Sequence, residues 1–265
     1  MRACILLAFC LGVASLAGQP GAAWRVVWAD EFDRDGLPDD TRWAYDVGGH
    51  GWGNRELQYY TRGRRENARV EGGRLIIEAR REDWDGKRYT SARLATKGRG
   101  DWTYGRIEVR AKLARGRGSW PAIWTLGSAE PYRWPDAGEI DIMEHVGFDP
   151  EVVHSAVHTL RFNHVARTHK TASTRVPGAM DAFHVYAVEW ERERIRTFVD
   201  GREYFTFARE PGGRDVWPFD APQHLLLNVA VGGNWGGRLG VDEDALPYRF
   251  EVDYVRVSQR PAGGN

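Results

Sequence analysis

The sequence predicts an all-β domain, built as a sandwich or a barrel. Short segments of alternating apolar and polar residues recur along the chain, and glycine-rich or other turn-forming residues separate them. No helical pattern extends beyond a few turns. The length of 265 residues suits one large all-β domain. We therefore expect two sheets that bury alternate side chains between them, with one outer face free to form a groove.

The N-terminal segment is typical of a signal peptide. Arg2 supplies a positive charge, residues 5–17 are apolar, and small residues ending at Ala17 or Ala23 suit cleavage. The apolar stretch is too short to span a membrane, and no later segment is long and apolar enough. We therefore expect export of the protein and no membrane span.

This interpretation divides the chain into a signal peptide, residues 1–23, and a single domain, residues 24–265. The domain would be secreted, to the periplasm or outside the cell. Both cysteines, Cys4 and Cys10, lie in the signal peptide, so the mature domain would contain no disulfide. We expect it to be a monomer held together by its apolar core.

The composition excludes some partners and favours one class. Lys and Arg total 37 and Asp and Glu total 37, so no basic excess suggests nucleic acid or an anionic membrane. The chain contains 12 Trp, 10 Tyr and 10 Phe. Most of these rings are expected in the core. Tryptophan also offers a flat surface to the apolar face of a sugar ring, so its abundance favours carbohydrate binding.

The first half of the domain is predicted to contain seven strands. Gly72-Gly73, between two of them, is a two-residue hairpin signal. Residues 48–54 are rich in glycine and aromatic residues, which is typical either of a cleft wall or of an ordinary connecting loop. The predicted strands cover residues 24–28, 56–60, 68–71, 74–79, 89–96, 105–113 and 119–126.

The second half is predicted to continue the pattern. Asp200-Gly201 is a second hairpin signal. His164 and His169 fall in a polar, basic segment and are expected to be solvated. Apart from the acidic strand described next, the predicted strands cover residues 152–160, 183–190, 195–199, 202–205, 224–231 and 248–257.

The most informative segment is residues 138–147, Gly-Glu-Ile-Asp-Ile-Met-Glu-His-Val-Gly. In a β-strand, alternate side chains share a face, so Glu139 and Asp141 lie together. Glu144 is out of phase with them in a regular strand. One extra residue, a β-bulge near Met143, would return Glu144 to the acidic face, and bulges are frequent beside active sites.

Carboxyl groups crowded on one face suit acid–base chemistry on a glycosidic bond. Such chemistry needs one ionised and one protonated carboxyl group. A negative charge on Asp141 would raise the pKa of Glu144, as a general acid requires. The spacing of Glu139 and Glu144 does not choose between retention and inversion. The alternative is a solvated strand face with no catalytic role.

Residues 138–144 resemble the catalytic signature of glycoside hydrolase family 16. They have the bulged form, typical of laminarinases, with two residues between the aspartate and the second glutamate; lichenase-like members lack the extra residue. Further segments that look like family segments, in the expected order, are residues 52–61, 91–94, 120–124 and 233–236.

The resemblance implies a concanavalin-like jelly-roll β-sandwich with a concave substrate cleft. It also implies a retaining mechanism in which Glu139 is the nucleophile and Glu144 the general acid/base. Asp141 would orient and tune Glu139.

The resemblance implies sugar-binding residues too. Trp120 and Trp124 would be platforms for glucosyl units beside the scissile bond, with core packing as the alternative. His158 shares strand parity with His154, and His158 matches the family histidine near the acids. Three further residues resemble cleft residues, although one of them, the arginine, would equally suit a surface ion pair: Asn54, Arg93 and Trp235.

A structural Ca²⁺ on the convex face is a further implication of the resemblance. Glu31, the backbone carbonyl of Gly73 and Asp253 match the places of its ligands in laminarinases. Oxygen ligands suit Ca²⁺, although the sequence contains no local calcium-binding loop. This ion would not be catalytic, and no catalytic cofactor is expected.

These observations lead to one principal hypothesis and two alternatives. The principal hypothesis is a secreted enzyme that cuts β-1,3-glucan chains such as laminarin internally. One alternative is a non-hydrolytic β-1,3-glucan-binding module, but such relatives have lost the catalytic acids that this chain keeps. The other is a family member that acts on mixed-linkage β-glucan or on a galactan.

Overall fold

The computed structural model describes residues 23–261 and contains two β-sheets packed face to face. The only helical element among these residues is a short 3-10 helix, Glu243–Ala245. The strands are β1 (Arg25–Asp30), β2 (Ala44–Asp46), β3 (Gln58–Tyr60), β4 (Ala68–Val70), β5 (Leu75–Trp84), β6 (Lys87–Ser91), β7 (Arg93–Ala95), β8 (Asp101–Trp102), β9 (Gly105–Lys112), β10 (Ser119–Gly127), β11 (Glu139–His145), β12 (Val152–His158), β13 (Lys170–Arg175), β14 (His184–Trp190), β15 (Arg194–Val199), β16 (Arg202–Ala208), β17 (Gln223–Val231) and β18 (Tyr248–Gln259).

The back sheet has ten strands and the front sheet eight. The back sheet runs β16-β15-β14-β9-β18-β5-β6-β3, with β1 paired to β18 and β4 paired to β5. The front sheet runs β13-β12-β11-β10-β17-β7-β2, with β8 paired to β17. The acidic strand β11 therefore lies inside the front sheet, between β10 and β12. The architecture is a jelly-roll sandwich, as predicted.

One apolar core lies between the sheets. Alternate residues of the front sheet, such as Ile123, Ile140 and Leu227, are completely buried against the back sheet. Burying one such side chain contributes about 1.5–3 kcal/mol. Because strand residues alternate, the opposite face of the same strands is free to carry polar side chains.

Both predicted hairpins are confirmed. Val70 pairs with Leu75 across Gly72-Gly73, so these glycines connect β4 to β5. Asp200 and Gly201 connect β15 to β16 with φ values of 50° and 78°. Left-handed values at both central residues match the twist of the flanking strands.

Several details of the strand prediction are wrong, and the short strands β2 and β8 were not predicted. Residues 89–96 are not one strand, because the chain leaves the back sheet after β6 and enters the front sheet at β7. Residues 90–92 are all buried, so no alternation marks this change of sheet. The strand predicted at 56–60 begins only at Gln58. Strand β13 was not predicted, since its residues are polar and its burial alternates only between partial exposure and full exposure.

The predicted signal peptide lies outside the described residues, apart from its last residue, Ala23, and so do both cysteines. Within residues 23–261, no helix has the length and apolarity that a membrane crossing requires.

Candidate active site

The predicted bulge is present in β11. Met143 pairs with Ile123 on β10, but the next residue of β10 pairs with Asp141, so Ile142 has no partner on that strand. The register with β12 also shifts between Asp141 and Glu144. The extra residue places Glu144 on the same face as the other two acids, as predicted.

Strand pairing arranges the side chains of this face in rows. One row crosses five strands and consists of Arg93, Asn228, Ala122, Glu144 and His154. Its central position holds the smallest side chain, a methyl group. The front sheet therefore has a low point between the amide of Asn228 and the carboxyl group of Glu144.

The remaining acids lie in the next two rows. Asp141 is opposite Trp124 on β10, and Glu139 is opposite Leu126 on β10 and His158 on β12. Consecutive rows hold Glu144, Asp141 and Glu139, so the three carboxyl groups follow one line along β11.

Two adjoining cavities of about 260 and 380 Å³ lie over these rows. All three acids line both cavities, and every predicted sugar-binding residue lines at least one of them. Asn54 and Trp120 line both cavities, Arg93 and Trp124 line the first, and His158 and Trp235 line the second.

His158 lies beside two of the acids. Its Nε2 atom is 3.2 Å from Oδ2 of Asp141 and 3.7 Å from Oε1 of Glu139. The side chain of Glu139 is 15 % exposed and that of Asp141 only 4 %. Glu139 therefore faces the cavity, while Asp141 lies beneath it.

The electrostatics of the three acids are strongly coupled. Burial is the main cause that raises the pKa of Glu139, Asp141 and Glu144, each to about 8. The negative charge of Asp141 raises the pKa of Glu139 and Glu144 further, whereas the charge of His158 lowers both. Three like charges this close cannot all form at neutral pH, so the cluster retains protons.

The two predicted platforms are tied to different polar groups. The indole N–H of Trp120 donates to Oε1 of Glu144 over 3.0 Å. The indole N–H of Trp124 donates to Oδ1 of Asn228 over 2.8 Å. Trp235 packs edge-on against Trp120 at a centroid distance of 5.3 Å. Both platforms therefore lie on the cleft face, with their indole nitrogens fixed.

Arg93 belongs both to an ion pair and to the cleft. Its Nε atom is 2.9 Å from Oδ2 of Asp46, and its side chain is only 11 % exposed. The guanidinium lies 4.6 Å from the ring centres of Trp52 and of Trp124. It thus joins the loop to the sheet through two aromatic faces.

The loop at residues 48–54 forms a wall of the first cavity. Trp52 and the following Arg55 have left-handed φ values of 51° and 56°, an uncommon conformation for residues with a side chain. The indole N–H of Trp52 donates to the carbonyl of Gly48 over 3.1 Å, which holds the ring in place. Such backbone strain is concentrated at functional sites.

The expectation of solvated histidines is wrong for His169. Its ring stacks on that of His158 with a centroid distance of 5.6 Å and an interplanar angle of 16°. His164 keeps an exposed surface, yet its ring centre is 5.2 Å from that of His158 and 5.0 Å from that of Trp134. His154 also lines the second cavity. No spacing in the sequence indicates that these histidines meet.

Sequence reasoning also missed Glu56. This carboxyl group is 7 % exposed and lines the first cavity. Gln58 donates to its Oε2 over 2.7 Å, Tyr60 donates to the same atom over 3.2 Å, and Asn54 donates to Oε1 over 3.4 Å. A glutamate at the start of a predicted strand gave no sign of this burial.

Two groups of residues offer metal-ligand chemistry. Among the described residues, Glu139, Asp141 and His158 have ligand atoms within 4.8 Å of one another. The contacts among these three residues are those of two acids beside a base, so they do not require a metal ion. The second group is the predicted calcium set on the back sheet.

The carboxylates of the predicted calcium site already accept hydrogen bonds from arginine side chains. Both oxygens of Glu31 accept hydrogen bonds from Arg256, at 2.7 and 2.8 Å. Asp253 lies at a bulge of β18 and accepts a hydrogen bond from Arg110 over 2.5 Å. Two carboxylates and the carbonyl of Gly73 suit Ca²⁺ chemically, but an ion there would compete with two guanidinium groups.

Carboxyl groups gathered beneath a tryptophan-lined cleft are the groups that hydrolysis of a glycosidic bond requires. The family model for glycosyl hydrolases family 16 matches residues 55–256. The chain belongs to this family.

Individual relatives agree with the family assignment. The chain is 55 % identical over 267 residues to a beta-glucanase of Rhodothermus marinus, covering 97 % of this chain and 93 % of that protein. The laminarinase structure from Rhodothermus marinus superposes with a TM-score of 0.89 at 58 % identity, covering 90 % of this chain and 98 % of that one. A family structure described as a non-specific endo-β-1,3(4)-glucanase superposes with a TM-score of 0.86 at 48 % identity, covering 91 % and 96 %.

Proposed function

We propose that the protein hydrolyses internal β-1,3-glucosidic bonds of laminarin-like glucans by a retaining mechanism. The observation that carries this proposal is the bulge of β11, which brings Glu144 to the face that holds Glu139. The similarity to a laminarinase over 98 % of that chain supports the substrate class. A cavity with tryptophan side chains on its floor and walls suits a chain of pyranose rings.

The first step needs an ionised nucleophile. Burial raises the pKa of Glu139, and the charge of the neighbouring His158 opposes that rise. Glu139 takes the role of nucleophile because it faces the cavity beside this histidine. Asp141 is the most buried of the three acids and is best kept protonated. As a neutral acid, Asp141 adds no negative charge beside the nucleophile Glu139.

The same step needs a proton donor. Burial is the main cause that raises the pKa of Glu144, to about 8, so this carboxyl group keeps its proton near neutral pH. It protonates the glycosidic oxygen as Glu139 attacks the anomeric carbon. The bond to the leaving sugar breaks, and a covalent glycosyl-enzyme forms.

The second step reverses the role of Glu144. Now ionised, and stabilised by the indole N–H of Trp120, it removes a proton from an incoming water molecule. The resulting hydroxide attacks the anomeric carbon and releases Glu139. Two inversions at that carbon give overall retention.

Digestion of laminarin, followed by NMR of the first product anomer and by product sizing, tests this proposal. We expect β-anomers first and a rapid fall in chain length. Absence of cleavage would refute the activity, an α-anomer as first product would remove the nucleophile role of Glu139, and release of single sugars only would exclude internal cutting.

A second candidate substrate is mixed-linkage β-glucan, because a structurally similar family member is described as a non-specific endo-β-1,3(4)-glucanase. Parallel digestion of lichenan tests it. Agarose and carrageenan belong in the same experiment, since a galactan was the third alternative. The alternative of a non-hydrolytic binding module is disfavoured, because Glu139, Asp141 and Glu144 are all present on one face of the sheet.

We also propose that the protein is exported and works as a monomer. The signal-peptide pattern of residues 1–23 supports export, and N-terminal sequencing of the mature protein tests it. A start near residue 18 or 24 is expected, whereas an intact Met1 would contradict it. Light scattering should give a mass below the 30.1 kDa of the full chain.

Finally, we propose a structural Ca²⁺ at Glu31, Gly73 and Asp253. The ligand chemistry supports it. The ion would bridge β18 to the ends of β1 and β4 without touching the cleft.

A further inference from the structure

Four side chains form a hydrogen-bond chain of fixed direction beneath the cleft. An indole N–H can only donate, so the bond from Trp124 to Oδ1 of Asn228 fixes the orientation of that amide. Nδ2 of Asn228 then donates to the hydroxyl oxygen of Tyr60 over 3.0 Å. The hydroxyl hydrogen is left to donate to Oε2 of Glu56 over 3.2 Å.

A second side chain reaches Glu56 with its direction also fixed. The backbone N–H of Val231 donates to Oε1 of Gln58 over 2.7 Å. The amide nitrogen of Gln58 must therefore face Glu56, to which it donates over 2.7 Å. Burial raises the pKa of Glu56, and the hydrogens that Gln58 and Tyr60 present to it favour its ionised form against that rise.

Glu56 is also close to the acid side of the cleft. A Cβ atom on Gly233 would lie 3.4 Å from Cγ of Glu56 and 3.5 Å from Cζ3 of Trp120. Trp120 is the residue that donates to Glu144. Glu56 and Trp120 thus both lie beside Gly233.

We propose that Glu56 is a positioning residue with two effects: it terminates the hydrogen-bond chain that fixes Trp124, and it places a negative charge near Glu144. This inference rests on the proposed glucanase function. It extends that function, because Glu56 is not one of the three acids to which the reaction is assigned. Sugar binding by Trp124 and proton retention by Glu144 would both depend on one buried carboxylate.

The charged groups around this pair are few. Glu144 has Asp141 and Glu139 on its own strand, His154 and His158 on β12, and Glu56 from the segment before β3 as its titratable neighbours. Glu56 in turn faces Arg93 on β7, whose charge opposes the effect of burial on its pKa. Burial is the main cause that raises the pKa of Glu144; the negative charge of Glu56 adds to it, as does that of Asp141 when Asp141 is ionised.

Two substitutions separate the two effects. Glu56→Gln removes the charge but keeps an oxygen that can accept from Tyr60 and Gln58. Tyr60→Phe removes the hydroxyl group, which breaks the chain, and leaves the charge of Glu56. Each variant is therefore the control for the other.

Kinetics on laminarin oligosaccharides should show this separation. In Glu56→Gln, the alkaline limb of kcat/KM should move to lower pH by up to about one unit, with KM changed less. In Tyr60→Phe, KM should rise about ten-fold with the alkaline limb in place. An unmoved limb in Glu56→Gln would overturn the electrostatic effect, and an unchanged KM in Tyr60→Phe would overturn the positioning effect.

A measurement without substrate distinguishes failure of this inference from failure of the proposed function. Hydrogen exchange of the Trp124 indole N–H can be followed by NMR, with the signal assigned from Trp124→Phe. Exchange should accelerate about ten-fold in Tyr60→Phe and little in Glu56→Gln. Equal exchange in Tyr60→Phe and the unsubstituted protein would overturn the chain, whether or not laminarin is cleaved.

Discussion

The indole N–H of Trp120 donates to the carboxyl group of Glu144 over 3.0 Å. Because an indole N–H cannot accept, this bond favours the ionised form of Glu144. Burial acts in the opposite sense and raises the pKa of Glu144 to about 8. The proposed acid/base is therefore balanced between the two protonation states that its two steps require.

Trp120→Phe should shift this balance. Without the indole donor the pKa of Glu144 rises, so the alkaline limb of kcat/KM should move up by about one pH unit. The control is Trp124→Phe, since that indole donates to an amide and not to an acid. Both variants should raise KM. A limb that moves equally in both, or in neither, would contradict the role of the Trp120 bond.

Removal of either catalytic carboxyl group should abolish hydrolysis without unfolding the protein. Loss of general acid–base catalysis in Glu144→Gln should lower kcat by about 10²–10⁴-fold, and Glu139→Gln should leave no covalent route. Reducing-sugar release measures activity, and affinity electrophoresis in laminarin measures retained binding. Glu108→Gln, on β9 of the back sheet, is the matched control and should keep full activity. Substantial activity in either cleft variant would refute the assignment.

Asp141→Asn should stabilise the protein at alkaline pH. Burial raises the pKa of Asp141 in the folded state to about 8, above its usual 3.8. The associated stability is present below the unfolded pKa and is lost as pH rises through the folded one. Relative to the unsubstituted protein, Tm should be unchanged near pH 3 and higher at pH 8.5, by about 2–4 °C per kcal/mol. A lower Tm of Asp141→Asn than of the unsubstituted protein at pH 8.5 would contradict this prediction, because it would show that neighbouring groups stabilise the ionised carboxylate of Asp141.

Calcium should raise the melting temperature if the proposed ion binds. Free Ca²⁺ at a hundred times its Kd would add about 2.7 kcal/mol, and EDTA should remove this gain. Asp253→Asn, which deletes one proposed ligand, should melt at the same temperature in both buffers. Identical melting of the unsubstituted protein with Ca²⁺ and with EDTA would exclude the site, and activity per folded molecule should not depend on the ion.

The acidic strand could be predicted closely because its signal is local. Alternation fixed the faces of Glu139 and Asp141, and a single out-of-phase residue required the bulge that β11 contains. The two hairpins followed from residues that accept left-handed conformations. Strand β13 could not be predicted, because an edge strand with few apolar side chains lacks the alternation that marks a strand.

The missing parts of the site depend on distant pairings. Glu56 is linked to Asn228 through Tyr60. Tyr60 and Asn228 are 168 positions apart in the sequence. His169 stacks on His158 because β13 folds back beside β12. Local patterns carry no information about such contacts, since they are set by which strands become neighbours. Resemblance supplied Asn54 and Trp235, which no alternation would have singled out.

Ala122 lies two residues from each platform on β10, at the low point between Asn228 and Glu144. A strand advances about 3.3 Å per residue, so the α-carbons of the two tryptophans lie roughly 13 Å apart, with only the methyl group of Ala122 on the same face between them. One pyranose ring of the substrate can approach the acids above Ala122, while the adjacent pyranose rings stack on the indole rings of Trp120 and Trp124. The position at which the glucan is cut would thus be decided by the empty volume above Ala122. A larger side chain at position 122 would move or abolish the cut, although every acid stayed in place.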